Sequence, residues 1–290
     1  WSQTDPNIIY TTSGNSYVKY DIITGTTTTL RTFTEYANLY KDTSFEEHPE
    51  NDRYVLLEGC FTSGCGSSTE LFIYDIVNDV KSKAITGQPV GGCGGADWAA
   101  MSPLGDYAMI NWGGGGDALY CGLAAYNLSM DYVGKVATGH GHGDLAIDQN
   151  GEQWYAYYTH DNYVGIFGPR IVKAKIPNGY DQWLQDNTTG LYSLLITGWT
   201  VSGHLSCQSP RSGWCVASSY GFDTVNPWVP FADEIYRVYL DSTDSNPHIE
   251  RFVQHRSDPD YIYNDLSCPL SGYWAQPHAT SSRDGSKIIY

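Results

Sequence analysis

The chain repeats a pattern in which apolar and polar residues alternate, stop at a polar turn, and resume in an aromatic run. The clearest copy covers residues 142–158, where Leu145 and Ile147 alternate with polar neighbours. The turn DQNG follows at residues 148–151, and the aromatic run WYAYY comes after it. Period-two alternation is typical of a half-buried strand, and two such runs around a glycine-containing turn predict a β-hairpin.

The same hairpin recurs along the chain. Further copies cover residues 96–112, 204–220 and 276–290, with weaker ones at 1–14 and 45–59. The first residues after the six turns are Ile8, Arg53, Asp106, Glu152, Trp214 and Ser286. By subtraction, the successive intervals between them are 45, 53, 46, 62 and 72 residues. Between these hairpins lies a second strand–turn–strand element, whose copies begin at Ser16, Glu70, Cys121, Arg170 and Glu234.

Two hairpins per repeat predict a four-stranded antiparallel sheet, and a repeat of roughly 40–50 residues is typical of a propeller blade. We therefore predict an all-β protein, a β-propeller that forms one domain over residues 1–290. Residues 1–40 are the first of five whole blades, and half of a sixth follows. Insertions account for the longer intervals, including a longer outer part of blade four at residues 179–189. Because the chain ends inside a repeat, we expect either a fragment of a longer protein or a ring of six or seven blades that further strands close.

Composition and charge narrow the possible partners. Hydrophobic residues make up 41% of the chain and aromatic residues 14%, which is enough for a buried core. No run of about 18 apolar residues predicts a membrane-spanning helix. The formal net charge of −16 disfavours binding to nucleic acid or to an anionic membrane. An acidic polysaccharide would also be repelled unless basic residues gather locally, and the charge can equally serve solubility.

Seven cysteines in an all-β chain indicate an oxidising compartment, and hence an extracellular or periplasmic, secreted protein. Cys207 and Cys215 flank one hairpin turn, and we predict that they form a disulfide. Cys60 and Cys65 flank a second turn in the same way and are predicted to pair too. The sequence leaves the pairing of the remaining cysteines open, namely Cys93, Cys121 and Cys268. Two glycosylation sequons, which begin at Asn127 and Asn187, are compatible with secretion.

Several histidines occupy related positions in the hairpins. His142, His204 and Gln276 each lie nine residues before the turn glycine of their hairpin, and His278 lies seven before its own. Positions nine and seven share a face, because side chains alternate along a strand. The first strand of each propeller blade lines the central channel. These four side chains are therefore predicted to converge at one mouth of that channel.

Three imidazoles and an amide can hold a divalent metal or form an acid–base site. The structural alternative is that these polar groups bond neighbouring backbone and water. His255 and Arg256 lie in the loop that enters the last repeat, which we expect to open on the same mouth. Arg256 can neutralise a substrate carboxylate with its bidentate guanidinium, although an arginine on a loop is often only a solvated surface group.

Taken together, the segments HGDLAIDQNGEQWYAYY, GHLSCQ, QHRS and QPHATSSRDGSKIIY resemble the β-propeller polysaccharide lyases of the oligogalacturonate-lyase and ulvan-lyase kind, and their TolB-like relatives. The resemblance covers mainly residues 142–290. It implies a secreted carbohydrate-active enzyme that cleaves a uronate-containing polysaccharide by β-elimination. In such enzymes an arginine or a metal offsets the uronate carboxylate, a base takes the C5 proton, and an acid assists the leaving oxygen.

The resemblance also implies roles for single residues. His204, His278 and Gln276 resemble the metal-binding set, with His255 as a fourth ligand, and the expected ion is Zn, Mn or Ca. His142 is then the base or the acid, and Arg256 is the carboxylate partner. The catalytic tyrosine cannot be chosen among 24. The alternative from a different class is a non-catalytic extracellular propeller for adhesion or self-assembly.

Overall fold

The computed structural model describes residues 1–40, 49–63, 69–86, 95–113, 121–138, 142–159, 168–198, 201–207, 213–221, 229–255, 277–282 and 284–290. Almost all of the regular structure in these segments is β-strand. The strands are β1 Ile8–Ser13, β2 Ser16–Asp21, β3 Thr26–Thr32, β4 Asn38–Tyr40, β5 Tyr54–Cys60, β6 Thr69–Asp75, β7 Val80–Lys81, β8 Ala96–Met101, β9 Ala108–Trp112, β10 Gly122–Tyr126, β11 Tyr132–Ala137, β12 Gly143–Ile147, β13 Gln153–Thr159, β14 Arg170–Lys175, β15 Leu191–Ile196, β16 Val201–Ser206, β17 Trp214–Gly221, β18 Glu234–Tyr239, β19 Ile249–Gln254, β20 Thr280–Ser281 and β21 Ile288–Ile289. One short helix, α1 Gly179–Asp186, lies between β14 and β15.

The described strands form six antiparallel sheets, in each of which every strand pairs with its neighbours in the chain. Four sheets have four strands, namely β4–β7, β8–β11, β12–β15 and β16–β19. The first sheet contains β1–β3 and the last contains β20–β21. This succession of small meandering sheets is what two consecutive hairpins per repeat produce. The predicted fold class, an all-β propeller, is confirmed.

The chain divides into two compact units, Trp1–His140 and Gly141–Tyr290. The first unit contains β1–β11, and the second contains β12–β21 together with α1. Each unit is described by itself below. That both belong to a single domain stays a prediction.

The hairpins predicted from the glycine turns are confirmed as β8–β9, β12–β13, β16–β17 and β20–β21. Their turn glycines all have positive φ, between 67° and 83°, a conformation that residues with a Cβ rarely adopt. In the β12–β13 turn, the Asp148 carboxylate also accepts hydrogen bonds from the N–H groups of Asn150 and Glu152, both at 2.9 Å. Local sequence chemistry therefore fixes each of these turns.

Apolar side chains are buried between successive sheets within each unit. In the second unit, one cluster joins residues of the β12–β15 sheet, including Trp154 and Tyr158, to residues of the β16–β19 sheet, including Tyr236. A second cluster joins the β16–β19 sheet to the last hairpin through Ala279 and its neighbours. The first unit has two equivalent clusters, one between its first and second sheets and one between its second and third. Each sheet therefore contributes to a core that it shares with the next sheet.

The first blade differs from the prediction at its beginning. Residues 1–7 contain no strand, and β4, at the end of the predicted first blade, pairs with β5 and so begins the second sheet. Instead of forming a strand, the first residues surround the buried carboxylate of Asp52. Asp52 accepts hydrogen bonds from the Ser2 hydroxyl at 2.6 Å, from the N–H groups of Gln3 and Thr4 at 2.6 and 2.9 Å, and from the Thr4 hydroxyl at 2.5 Å. These hydrogen bonds satisfy N–H donors that would otherwise pair with a neighbouring strand.

The helix α1 lies in the segment that the sequence suggests is only a longer outer part of blade four. Its side chain Trp183 is buried, and Asn187, in the left-handed conformation, ends the helix. Eight residues span little more than two helical turns, which is too few to show a helical period against the surrounding β-pattern. Within the described segments, no helix is long and apolar enough to cross a membrane.

The predicted disulfide between Cys207 and Cys215 is confirmed, and it joins the ends of β16 and β17. Cys60 and Cys121 are also disulfide-bonded. Cys65, the predicted partner of Cys60, lies outside the described residues, as do Cys93 and Cys268.

We expect Asp52→Ala to lower the free energy of unfolding by about 1–3 kcal/mol, because the buried hydroxyl of Ser2 and the N–H groups of Gln3 and Thr4 lose their acceptor. Burial raises the pKa of Asp52, but the hydrogen bonds outweigh it and hold the pKa below its usual 3.8. The stabilisation is therefore present above that value and is lost as the pH falls through the lower folded pKa. Urea unfolding at neutral and acidic pH measures both effects. Asp5→Ala, an exposed carboxylate in the same segment, is the control. An Asp52→Ala protein as stable as the control would contradict this prediction.

Candidate functional site

Three histidines lie at the first strands of three successive sheets in the second unit. His142 immediately precedes β12, His204 lies within β16, and His278 lies two residues before β20. The strand β16 packs beside both β12 and β20. This arrangement places His204 between the other two.

The three imidazole rings form a continuous stack. The ring centroids of His142 and His204 are 4.3 Å apart with an interplanar angle of 9°, and those of His204 and His278 are 3.8 Å apart at 27°. The side chains of His142 and His204 are half-buried, and His278 is exposed. The structure therefore brings together three of the predicted site residues. We call this group the histidine stack.

The position of His278 along its strand, relative to His204, differs from the prediction. Counting back from the turn glycines puts His278 level with Ser206, two residues beyond His204. In the structure, His278 stacks on His204, and Ser206 instead bonds Thr280 through their hydroxyls at 2.9 Å. The turns differ in length, so equal distances from the turn glycine do not give equal positions along the strands. Ser206 pairs with Val216 across one turn, whereas Ser281 pairs with Ile288 across the other. Gln276, the fourth residue of the predicted set, lies outside the described residues.

Glycines beside two of the histidines let the strands approach closely. A Cβ on Gly203 would lie 2.6 Å from the Ser218 carbonyl oxygen, and one on Gly143 would lie 2.3 Å from the Ala156 carbonyl oxygen. Both distances are too short for any side chain. Glycine at these two positions therefore permits the backbone geometry that carries His142 and His204.

Ser218 holds the backbone on both sides of His278. This buried serine is the cross-strand partner of His204 on β17. Its hydroxyl donates to the Pro277 carbonyl at 3.0 Å and accepts the Ala279 N–H at 3.1 Å. Ser218 thus fixes the position of His278 relative to His204. The sequence alone does not reveal this role, because nothing in the local pattern distinguishes Ser218 from its serine neighbour.

Asp144 connects β12 to the end of β16. One carboxylate oxygen accepts the Leu145 N–H at 2.8 Å, and the other accepts the N–H of the disulfide-bonded Cys207 at 2.7 Å. Burial raises the pKa of Asp144 to about 7, even though both hydrogen bonds favour the charged form. Asp144 lies two residues after His142 and seven before the turn glycine Gly151, but the sequence alone indicates no role for it. Its contact with Cys207 joins two strands of the histidine stack.

Tyr220 is the tyrosine whose ring the structure places against the stack. Its ring centroid is 6.0 Å from that of His204, and its side chain is buried. Tyr220 lies on β17 opposite Ser202, two residues from the partner of His204. The sequence contains no signal that separates it from the other tyrosines, since only the pairing of β16 with β17 brings it near.

His255 has a different environment from the stack. It is 7% exposed, and its Nε2 lies 2.6 Å from the Ser219 carbonyl oxygen. A carbonyl only accepts, so Nε2 carries the proton and donates it, and a metal bound by this ring would have to use Nδ1. Arg256, the predicted carboxylate partner, lies outside the described residues.

The described histidines do not by themselves complete a metal site. Across the described parts of the chain, no group of three or more His, Cys, Asp or Glu side chains is arranged to hold a metal ion. A metal binds imidazole in the plane of the ring through a nitrogen lone pair, whereas the histidine stack brings rings together face to face. Although the residue as a whole is exposed, partial desolvation of its ring lowers the pKa of His278, which favours its neutral form.

Comparison with known proteins supports the fold. The chain is similar to an oligogalacturonate lyase from Vibrio parahaemolyticus, with 12% identity and a TM-score of 0.57 over 99% of this chain and 71% of that one. It is also similar to an oligogalacturonate lyase in complex with manganese, with 12% identity and a TM-score of 0.54 over 99% and 70%. TolB from Acinetobacter baumannii has 9% identity and a TM-score of 0.46 over 98% of this chain and 57% of its own.

At such identities the likeness to the two lyases shows a shared β-propeller fold. This agrees with the resemblance seen in the sequence. The chain spans little more than half the length of the TolB chain that it matches. No protein-family model matches the sequence, and no curated protein matches it significantly.

We expect Asp144→Asn to reduce the pH dependence of stability between about pH 4 and 7. The folded protein retains the Asp144 proton up to a pKa of about 7, whereas the unfolded chain releases it near 3.8. The free energy of unfolding of the wild type therefore falls as the pH rises through this interval. Asparagine does not titrate, so the variant gains stability relative to the wild type with rising pH, by at most about 4 kcal/mol.

Urea unfolding at about pH 5 and about pH 8 measures this relative gain. The substitution also replaces one acceptor oxygen by an amide group, but that cost is the same at both pH values. Asp131→Asn, which changes an exposed carboxylate, serves as the control. A stability difference between Asp144→Asn and wild type that stays constant over this range would rule out the raised pKa.

Proposed function

We propose that the protein is a secreted polysaccharide lyase that cleaves a uronate-containing polysaccharide by β-elimination. The observation that carries this proposal is the histidine stack, which gathers three proton-carrying rings at the first strands of three adjacent sheets. Two structures with the same fold are those of oligogalacturonate lyases, which agrees with a substrate of this class.

The proposed reaction requires groups that the chain can supply. A base removes the proton from C5 of the uronate, the electrons of that C–H bond form the C4=C5 double bond, and the C4–O4 bond breaks. An acid supplies the proton that the departing oxygen takes. The atoms and electrons balance without an oxidant, a reductant or water. Histidine serves in both roles in many enzymes, because its pKa lies close to neutral pH.

Within this proposal, His142 is the base or the acid. It lies at one end of the stack, so that one of its faces packs on His204. Arg256 receives the substrate carboxylate, which makes the C5 proton easier to remove. Tyr220 is a further candidate for proton transfer, since its ring lies near His204. Ser218 and Asp144 would act through the histidines, by fixing the backbone that carries them.

A divalent cation is a separate part of the proposal. The expected ligands are His204, His278, Gln276 and His255, and the expected ion is Zn, Mn or Ca. One of the oligogalacturonate lyases with the same fold is described as a complex with manganese. His204 and His278 are in contact, which brings two of these ligands together. A site built on them needs a further donor, and Gln276 is the one that the sequence offers.

Disulfide bonding supports the proposed location. Cys207 and Cys215 are bridged, and Cys60 and Cys121 are also in disulfides. Structural disulfides persist in oxidising compartments, so we propose an extracellular or periplasmic location. A polysaccharide outside the cell is accessible to such a protein.

We expect His142→Ala to slow unsaturated-product formation strongly on the polysaccharide that the wild-type protein cleaves. Loss of a general acid or base reduces rates by roughly 10²–10⁴-fold. The measurement follows ultraviolet absorbance of the new double bond, with a panel of polygalacturonate, ulvan and alginate as substrates. His248→Ala, which removes an exposed histidine immediately before β19 and outside the stack, should retain wild-type activity.

Two results would overturn the proposed enzyme. The lyase proposal is ruled out if the wild-type protein leaves the whole panel uncut, with and without added Mn, Zn or Ca. Equal rates for His142→Ala and His248→Ala remove His142 from the chemistry. In the first case, the non-catalytic adhesion or self-assembly function becomes the better explanation of the fold.

We expect His204→Ala to lose a bound divalent cation while the fold persists, because His204 is not part of the apolar clusters that the sheets share. Elemental analysis of purified wild-type protein, after dialysis against each of the three candidate metals, measures the occupancy. His248→Ala is again the matched control. Circular dichroism and a thermal melt report whether His204→Ala is folded. Wild-type protein that retains no metal from any of the dialyses would disprove the cation site without deciding the role of His142.

A further inference from the structure

A separate cavity of about 380 Å³ lies in the second unit, between the outer strands of one sheet and a turn of the next. Residues of β14 and β15 line one side, the end of α1 lines another, and residues 240–244 after β18 line the third. The histidine stack lies on first strands, whereas this cavity lies on third and fourth strands. The cavity is therefore a different place on the fold and plays no part in the proposed lyase chemistry.

Tyr192 gives the cavity an exposed aromatic surface. Its side chain is 36% exposed, and its ring packs edge-to-face on Trp154 with centroids 5.7 Å apart. The Lys173 ammonium lies 4.0 Å from the Trp154 ring centroid and 5.5 Å from that of Tyr192. These contacts hold the Tyr192 ring in place before any ligand arrives. A ring that is already ordered loses little conformational entropy on binding.

The two cations of the cavity are already bonded within the protein. Arg170 pairs with Asp244 at 2.6 Å, and Ser193 donates to the same carboxylate at 2.6 Å. Lys173 donates to the Leu240 carbonyl at 2.7 Å, and burial lowers its pKa. An anionic ligand would have to compete for these groups, and the second carboxylate of the lining, Asp241, would repel it. The charge pattern therefore favours an uncharged ligand.

Asp241 offers an acceptor at the edge of the cavity. Its carboxylate is held by His248, whose Nδ1 lies 2.8 Å from Oδ1, and the side chain is still 74% exposed. His248 in turn stacks flat on Tyr239, with centroids 3.7 Å apart. The exposed side chains of Asn187 and Thr243 add an amide and a hydroxyl to the lining. These donors and acceptors match the hydroxyl groups of a sugar, and the Tyr192 ring matches its apolar C–H face.

We propose that this cavity binds a neutral mono- or disaccharide. Its volume lies near the lower end of the roughly 300–1,000 Å³ that is typical of small-molecule sites, which suits one or two sugar rings. Binding here would hold the protein to a neutral carbohydrate independently of the histidine stack. The proposal does not depend on lyase activity.

The test uses the full chain, produced in a host that adds no N-linked glycans, because Asn187 begins a sequon. Saturation-transfer NMR and calorimetry measure binding of glucose, galactose, mannose, xylose, cellobiose and lactose, with galacturonate as the anionic probe. We expect at least one neutral sugar to bind and galacturonate to bind more weakly. Tyr192→Ala should weaken that binding roughly tenfold, because the aromatic contact is lost.

Two further variants keep the test decisive. Asp241→Asn keeps the shape of the cavity and should also weaken binding, so the proposal stays testable if Tyr192→Ala fails to fold. Tyr132→Ala removes a tyrosine that is 52% exposed in the first unit and should leave binding unchanged. The proposal is overturned if no neutral sugar binds, if galacturonate binds better than all of them, or if Tyr192→Ala and Asp241→Asn both bind as well as the wild type.

Discussion

Burial of apolar surface between successive sheets is the interaction on which the rest of the structure depends. A sheet of four short strands cannot bury its faces alone, so each sheet must pack against the next. In the second unit, the shared core includes the large side chains Trp154, Tyr158 and Tyr236, and the hydroxyls of Tyr158 and Tyr236 bond each other at 2.7 Å inside it. Burying apolar surface stabilises the folded state by about 25 cal/mol per Å², so such aromatic clusters are the main source of stability.

The same packing explains why a site can form on first strands. When sheets stack, the first strand of one lies beside the first strand of the next, and side chains at matching levels meet. The histidine stack is the result at β12, β16 and β20. Ser218 and Asp144 then secure the group through hydrogen bonds to the Pro277–Ala279 backbone and to Cys207. The stack is therefore held by buried contacts and not by its own ring–ring attraction alone.

The two proposed sites lie at different strand positions. The histidine stack lies at first strands, whereas the cavity with Tyr192 and Asp241 lies on outer strands and turns. The outer strands and their connections also contribute to the shared core, since Leu194, Leu195 and Leu240 are among its buried residues. The end of α1 and the turn at residues 240–244 both line this recess.

The sequence by itself determined the hairpins, their turns and the Cys207–Cys215 bridge. These follow from local rules, namely period-two alternation, glycine at positive φ, and cysteines on paired strands. It also indicated that His142 and His204 share a face. Only the tertiary structure decided that His278 is level with His204, that Ser218 and Asp144 support the stack, and that residues 2–4 surround Asp52. The physical reason is that the relative positions of side chains on neighbouring sheets depend on turn length and packing. Alternation along a single strand does not encode either of these.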